Sequence, residues 1–299
     1  MAKRRKRSFK AAVIILPVVV ILGLLAWYVQ SHTIAVLEPA GPIAQKERNL
    51  MTVAILLSVI VVVPVYVMTV LIALKYHERN AESHKVKYTP DWDHSRLFES
   101  IWWGVPIAII TVLSIITWNS SHALDPYKPL ADSTKPLTVQ VVALDWKWLF
   151  IYPQQHIASV NLVEMPENTP VDFQITSDAV MNSFWIPQLS GQIYAMPGMS
   201  TQLHLMATKT GSFLGSPANI AGSGFARMDF TAKSVSPTDF AAWVKTAQGS
   251  QKQMDMDSYS TLTQPSSDYP VTLYSHADEG IYTHVLRKYM AQMPAGMEM

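Results

Sequence analysis

The chain has 299 residues, a formal net charge of +1 and no cysteine. A near-neutral charge leaves no electrostatic footprint for nucleic acid, and the missing cysteine excludes disulfides and thiolate metal sites. The average composition, 49% hydrophobic, hides two kinds of material: three long apolar runs within residues 11–118, then a stretch from residue 119 that reads as a soluble domain.

The first run, Ala11 to Gln30, is uncharged and follows Lys3, Arg4, Arg5, Lys6, Arg7 and Lys10. A basic head before an apolar stretch is the grammar of a signal peptide, and Val29-Gln30-Ser31 suits cleavage after Ser31. The run exceeds the ~7–15 residues of a signal core, which suits an uncleaved anchor. Residues 1–31 are therefore a signal peptide or a membrane anchor, and 32–48 an external segment. Asn49 to Leu74 and Ser100 to Leu124 are also uncharged. Each can cross the ~30 Å hydrocarbon core, which needs about 20 helical residues. Pro64 and Pro106 inside them are tolerated in membrane helices. The expected spans are 49–76 and 99–118, forming a helical hairpin around a 77–98 loop. Lys75, Arg79, Lys85, Lys87 and Arg96 make that connection basic, whereas 31–48 carries only Lys46 and Arg48. Basic loops stay in the cytoplasm, so the chain beyond about residue 119 lies outside, which in a Gram-negative bacterium is the periplasm.

A proline-stiffened linker, His122 to Leu130, leads into strand patterns. Leu137, Val139, Val141 and Ala143 alternate with Thr138, Gln140 and Val142, and Trp146, Trp148, Phe150 and Tyr152 continue the period in aromatics. Val160–Val163, Val171–Thr176, Thr201–Ala207 and Phe225–Thr231 are further strand candidates between turn signals. Short strands at this spacing predict an antiparallel sandwich over 119–235. Ser236-Pro237-Thr238-Asp239 opens a helix with a Ser cap and a first-turn Pro, and Phe240, Trp243 and Val244 give it an apolar face. A last helix, about Ile281 to Met293, and a Met-rich tail close the 236–299 extension. Those thioethers could capture Cu(I), although a frayed terminus is the default. The nine histidines form no ligand-spaced pair, and no nucleophilic triad or phosphate loop is readable.

Two stretches carry a specific resemblance. Residues 178–187 read Asp-Ala-Val-Met-Asn-Ser-Phe-Trp-Ile-Pro, and residues 215–228 read Gly-Ser-Pro-Ala-Asn-Ile-Ala-Gly-Ser-Gly-Phe-Ala-Arg-Met. They resemble subunit II of the haem-copper respiratory oxidases, where H-S-F-W-x-P and C-S-E-x-C-G-x-x-H-x-x-M hold a binuclear copper centre. Here Asn182 stands at the first His, Pro217 and Ala221 at the two Cys, Asn219 at the Glu and Phe225 at the second His. Met228 alone is kept. A binuclear copper site needs bridging thiolates, and one thioether is too weak alone; a packed core side chain is the ordinary reading of Met228. The wording around Val180–Pro187, with Leu144-Asp145-Trp146-Lys147-Trp148 and Gln192–Met199, is similar to the quinol-oxidase branch of cytochrome bo type, which has no such copper.

The resemblance implies a membrane helical hairpin followed by a cupredoxin-like Greek-key sandwich with C-terminal helices. It implies subunit 2 of a proton-pumping ubiquinol oxidase, with no cofactor in this chain. The haems, the remaining copper and the main quinol contacts belong to subunit I, the principal partner beside smaller membrane subunits and the lipid bilayer. Relatives of this branch often carry a lipid-modified Cys near residue 32, where His32 stands here. Glu99, in E-x-x-W-x-x-P before the second apolar run, corresponds to the mouth of a proton path into subunit I; the plain reading is an interfacial carboxylate at a helix N-terminus. Trp146 and Trp148 match an aromatic pair near the copper in cytochrome c oxidases; rings packed at the domain–membrane boundary are the structural reading. Two rivals remain: a cytochrome c oxidase subunit II, and a membrane-anchored assembly or copper-handling protein.

Overall fold

The computed structural model describes residues 34–76, 93–130 and 135–290, with Gly23, Leu24, Trp27, Tyr28 and Ser31. The first apolar run, apart from those isolated positions, lies outside the described residues. So do residues 77–92 of the basic loop and the tail beyond Met290.

Helices α1 (Pro42–Lys75) and α2 (Arg96–Ala123) carry the two apolar runs. Leu56, Leu71, Trp102 and Trp103 are exposed on them, which suits helices whose solvent is hydrocarbon. At ~1.5 Å per residue α1 is about 51 Å long, well beyond the ~30 Å core. It begins seven residues before the apolar run, with Gly41 as N-cap and Pro42 in the first turn. This start is seated on the soluble domain. Ala40 and Ala44 are buried. The Ala40 N–H donates to Gln188 O at 2.7 Å, and the Thr208 N–H donates to Ala40 O at 2.8 Å. A side chain on Gly41 would meet Met206 O at 2.4 Å, so glycine permits the contact. Half of the segment read as an external connection is thus part of a joint.

The soluble domain is a two-layer sandwich. Its strands are β1 (Leu137–Leu144), β2 (Lys147–Tyr152), β3 (Ile157–Val160), β4 (Leu162–Pro166), β5 (Val171–Ser177), β6 (Asn182–Trp185), β7 (Ile193–Ala195), β8 (Thr201–Leu205), β9 (Gly211–Pro217), β10 (Phe230–Val235) and β11 (Thr272–Tyr274). Among the described residues one sheet runs β11-β3-β2-β1-β5-β8 and the other β4-β10-β9-β6-β7. The sheets are not wholly antiparallel: β1 with β5 and β4 with β10 pair in parallel. These are crossovers between strands distant in sequence, which local spacing does not show.

Two strand expectations shift. Val160–Val163 is not one strand, because Asn161 adopts φ +57° and sends β3 and β4 into different sheets. Asn tolerates this left-handed conformation, and its side chain bridges the corner: Oδ1 accepts from Trp148 N at 2.9 Å and Nδ2 donates to Tyr269 O at 2.8 Å. Phe225–Thr231 opens as a 3-10 turn, Phe225–Arg227, and its strand starts only at Phe230.

Trp148, Phe150 and Tyr152 face the space between the sheets with Phe173, Phe184, Met228 and Phe230. The C-terminal segment adds α3 (Pro237–Gln248), α4 (Met256–Leu262) and α5 (Gly280–Met290). Ser236 Oγ caps α3 by accepting from Asp239 N at 3.1 Å. The rest covers the outer face of the first sheet in a second core, where Val142, Leu149 and Ile151 meet Met254, Tyr259, Tyr274, Ile281 and Val285. That face explains why β2 is buried at every position rather than at alternate ones.

Candidate functional site

The positions matched by resemblance to copper ligands come from two loops at one end of the sandwich. Asn182 opens β6, and the last residue of β9, Pro217, pairs beside Phe184. The Ala218 N–H donates to Ser183 O at 3.2 Å, and Asn219 Nδ2 donates to Met181 O at 2.9 Å. The loop after β9 then folds back over Trp146, whose Nε1–H donates to Ala221 O at 3.0 Å. Trp146 itself sits at φ +63°, and a Cβ on Gly224 would lie 2.2 Å from its ring. Met228 is fully buried, and its carbonyl accepts from Trp148 Nε1 at 3.0 Å.

Trp148 is therefore not at the domain–membrane boundary. It lies inside the sandwich, with ring centroids 5.4 Å from Phe184 and 5.7 Å from Phe230. Period-2 alternation places it on the core face, and the indole N–H finds a partner there, as buried Trp generally must.

The donor chemistry does not fit a binuclear copper. Pro217, Ala221 and Phe225 bring no ligating side-chain atom. The Asn182 amide spends its Nδ2 on Val180 O at 2.9 Å, and its buried Oδ1 is without a partner. Among the described residues no three His, Asp or Glu side chains group to hold a metal. His156 and His204 instead neighbour Glu279 at 3.4 Å and Asp172 at 3.7 Å.

Glu99 lies in the first turn of α2, at the far end of that helix from the end that leads into the domain. The separation is about 36 Å at ~1.5 Å per residue. Its Oε1 accepts from Ser95 N at 3.1 Å, so the carboxylate caps the helix with the backbone of its own N-cap residue.

A second polar centre has no local signal in the sequence. Asp178, with its side chain 1% exposed, accepts from Tyr259 Oη at 2.6 Å, Lys288 Nζ at 2.6 Å and Tyr289 Oη at 2.8 Å. Burial, and then Asp178 itself, push the Tyr259 phenol far above its usual range, so it stays a donor. Burial alone would lower the pKa of Lys288; the hydrogen bond to Asp178 and its charge outweigh that and raise it. The partners are 81 to 111 residues away in sequence. Two further charged side chains are buried: Lys147, whose Nζ donates to Gln264 O at 2.8 Å and Ser266 Oγ at 2.6 Å, and Glu164, which pairs with Lys233 at 2.9 Å.

Two apolar membrane-length helices, a cupredoxin-like sandwich and this loop pair define the class, a subunit of the haem-copper oxidase type. The family model for the periplasmic domain of cytochrome c oxidase subunit II matches residues 152–235, and that for the COX aromatic rich motif matches 248–293. The cytochrome bo(3) ubiquinol oxidase subunit 2 of Pseudomonas putida is 49% identical over 85% of this chain and 80% of its own length. The ubiquinol oxidase subunit 2 of Acetobacter aceti is 47% identical over 85% and 82%. Among solved structures, the periplasmic domain of subunit II of cytochrome oxidase from Bradyrhizobium japonicum is similar at 26% identity and TM-score 0.37, covering 39% of this chain and 96% of that one. The chain belongs to the family of subunit 2 of cytochrome bo(3) ubiquinol oxidases. It is thus a membrane-anchored subunit of a multi-subunit quinol oxidase, with a domain of periplasmic type.

Proposed function

We propose that this chain is the copper-free, non-redox subunit of a proton-pumping ubiquinol oxidase in the bacterial inner membrane. The complex oxidises ubiquinol and reduces oxygen to water. Its haems and copper sit in subunit I, which this chain docks through its membrane helices and covers with its periplasmic domain; smaller membrane subunits complete the assembly. The observation that carries this reading is the ligand set itself. Every position that needs a thiolate or imidazole holds Asn, Pro, Ala or Phe, and soft sulfur is what a shared copper pair requires.

The soluble portion, residues 125–299, is expected to fold without copper, because its two cores are apolar. Thermal melting with and without added copper checks this. A copper pair with near-infrared absorbance, or folding only with copper, would sink the reading.

Glu99 is the proposed point where protons enter from the cytoplasmic side. Glu99→Gln keeps an oxygen for the Ser95 N–H, so the cap survives while the proton carrier is lost. Quinol-dependent oxygen uptake of purified complex is expected to fall. The loss should be smaller than the ~10²–10⁴-fold of an essential relay acid, because water or nearby Asp93 can substitute in part. Unchanged rates at every pH would leave Glu99 with the capping role alone.

A further inference from the structure

The vestigial ligand loops present a physical problem. In a copper-binding relative of this design, metal bonds would tie the loop after β5 to the loop after β9. Here neither loop has such a bond, yet both hold a defined shape at the edge of the sandwich. The hydrogen bonds between them are few: Ala218 N to Ser183 O and Asn219 Nδ2 to Met181 O. Trp146 holds the second loop from the β1–β2 turn through its bond to Ala221 O, and Ser177 Oγ accepts from Ala179 N in the first; the remaining grip comes from the C-terminal segment. At the first loop, Asp178 takes Tyr259 from α4 and Lys288 with Tyr289 from α5. At the second, Arg227 makes a short ion pair with Asp268, which lies between α4 and β11.

We infer that the C-terminal segment, residues 254–290, acts as the staple that holds the two vestigial copper loops in place, with Asp178 as its principal anchor. The segment is fitted for this. Its apolar side is buried against the outer face of the first sheet through Met254, Leu262, Ile281 and Val285, so its polar contacts are aimed from a rigid base. Lys147 fastens the connection after α4 to the β1–β2 turn by its bonds to Gln264 and Ser266. Asn161 fastens the same connection to the β3–β4 corner through Tyr269 O. Arg227–Asp268 is exposed on both partners, 65% and 57%, and contributes little alone. Asp178 differs: it is a buried carboxylate with three donors, two of them hydroxyls and one an ammonium, and such charge-assisted bonds are the strong ones. Two residues beyond it, the exposed Val180 and Met181 lead into β6 and Asn182, so a loss of the anchor would be felt first in this loop.

The inference rests on the copper-free reading above, and one preparation can separate the two. The experiment is amide hydrogen exchange on the purified oxidase complex carrying Asp178→Asn, Tyr289→Phe or Tyr282→Phe, with copper analysis of the same samples. Tyr282 is the control: it lies on the same helix, but its hydroxyl meets Ser200 at 2.8 Å rather than either loop. In Asp178→Asn, exchange at 178–183 and 218–227 is expected to rise roughly tenfold or more, as fits the loss of bonds to a charged group. Tyr289→Phe should give a smaller rise, Tyr282→Phe none, and strands β1, β2 and β5 should keep their protection throughout. Loops indifferent to both anchor variants would overturn the inference, as would an equal rise in Tyr282→Phe. If Asp178→Asn does not assemble, Tyr289→Phe decides by the same criteria. Copper in excess of that held by subunit I would overturn the copper-free reading instead, whatever the loops do.

Discussion

Trp148→Ala is expected to lower the stability of the soluble domain by about 3–5 kcal/mol, the range for emptying a large aromatic site in a core. The residue is fully buried, and its ring meets Phe184 and Phe230 between the sheets. Those two rings stack on each other at 5.1 Å, so the cavity would open beside a rigid aromatic pair that cannot collapse into it. The indole also donates to the Met228 carbonyl, which stands at the exit of the loop after β9. Trp148→Phe keeps much of the volume but strands that carbonyl, at a cost of about 1–3 kcal/mol. Urea unfolding of residues 125–299, followed by far-ultraviolet circular dichroism, measures both. A loss for Trp148→Ala no larger than for Trp148→Phe would mean that the ring contributes only its hydrogen bond.

The second large effect is a gain of metal. Asn182→His, Pro217→Cys, Asn219→Glu, Ala221→Cys and Phe225→His together are expected to rebuild a binuclear copper site with Met228. Pro217→Cys with Ala221→Cys alone should give at most a weak mononuclear thiolate site or a disulfide. The reason is cooperative: bridging thiolates hold the pair, but imidazoles must close each coordination sphere. The scaffold favours the full set, since β6 and the end of β9 already pair at Phe184–Pro217 and Met228 is already buried there. Replacing Asn182 also removes an amide oxygen that is buried without a partner. Copper stoichiometry and near-infrared absorbance are the readouts. A five-residue variant that folds but takes up no copper would show that the loops no longer share the ligand geometry, and that the positions are wrongly matched.

The Trp148 series probes the core that every cupredoxin-like sandwich must fill. The restored ligand set probes whether the loop end still has the shape that a metal requires.

The sequence by itself determined the two apolar helices, strands β1, β2, β5 and β8, and the first C-terminal helix. Each is a local property. Uncharged runs beyond about 20 residues demand hydrocarbon, alternation in Leu137–Ala143 and again in Trp148–Tyr152 turns one face of each strand to the core between the sheets, and Ser236 with Pro237 is a start signal readable over four residues. That Pro217, Ala221 and Phe225 carry no ligating side-chain atom is a matter of residue identity alone.

Tertiary structure decided the rest, wherever partners lie far apart along the chain. The parallel pairs β1–β5 and β4–β10 have no turn to announce them. Asn161 ends one strand and starts another because two sheets, not one, receive its neighbours. Ala40 and Ala44 look like ordinary small residues until Leu189 and Thr208 close over them. Asp178 reads as a loop acid, yet it is buried because a helix more than a hundred residues later brings Lys288 and Tyr289 to it. A buried charge is tolerable only with such partners, and where they stand depends on how the chain returns to the sheet, which no local pattern encodes.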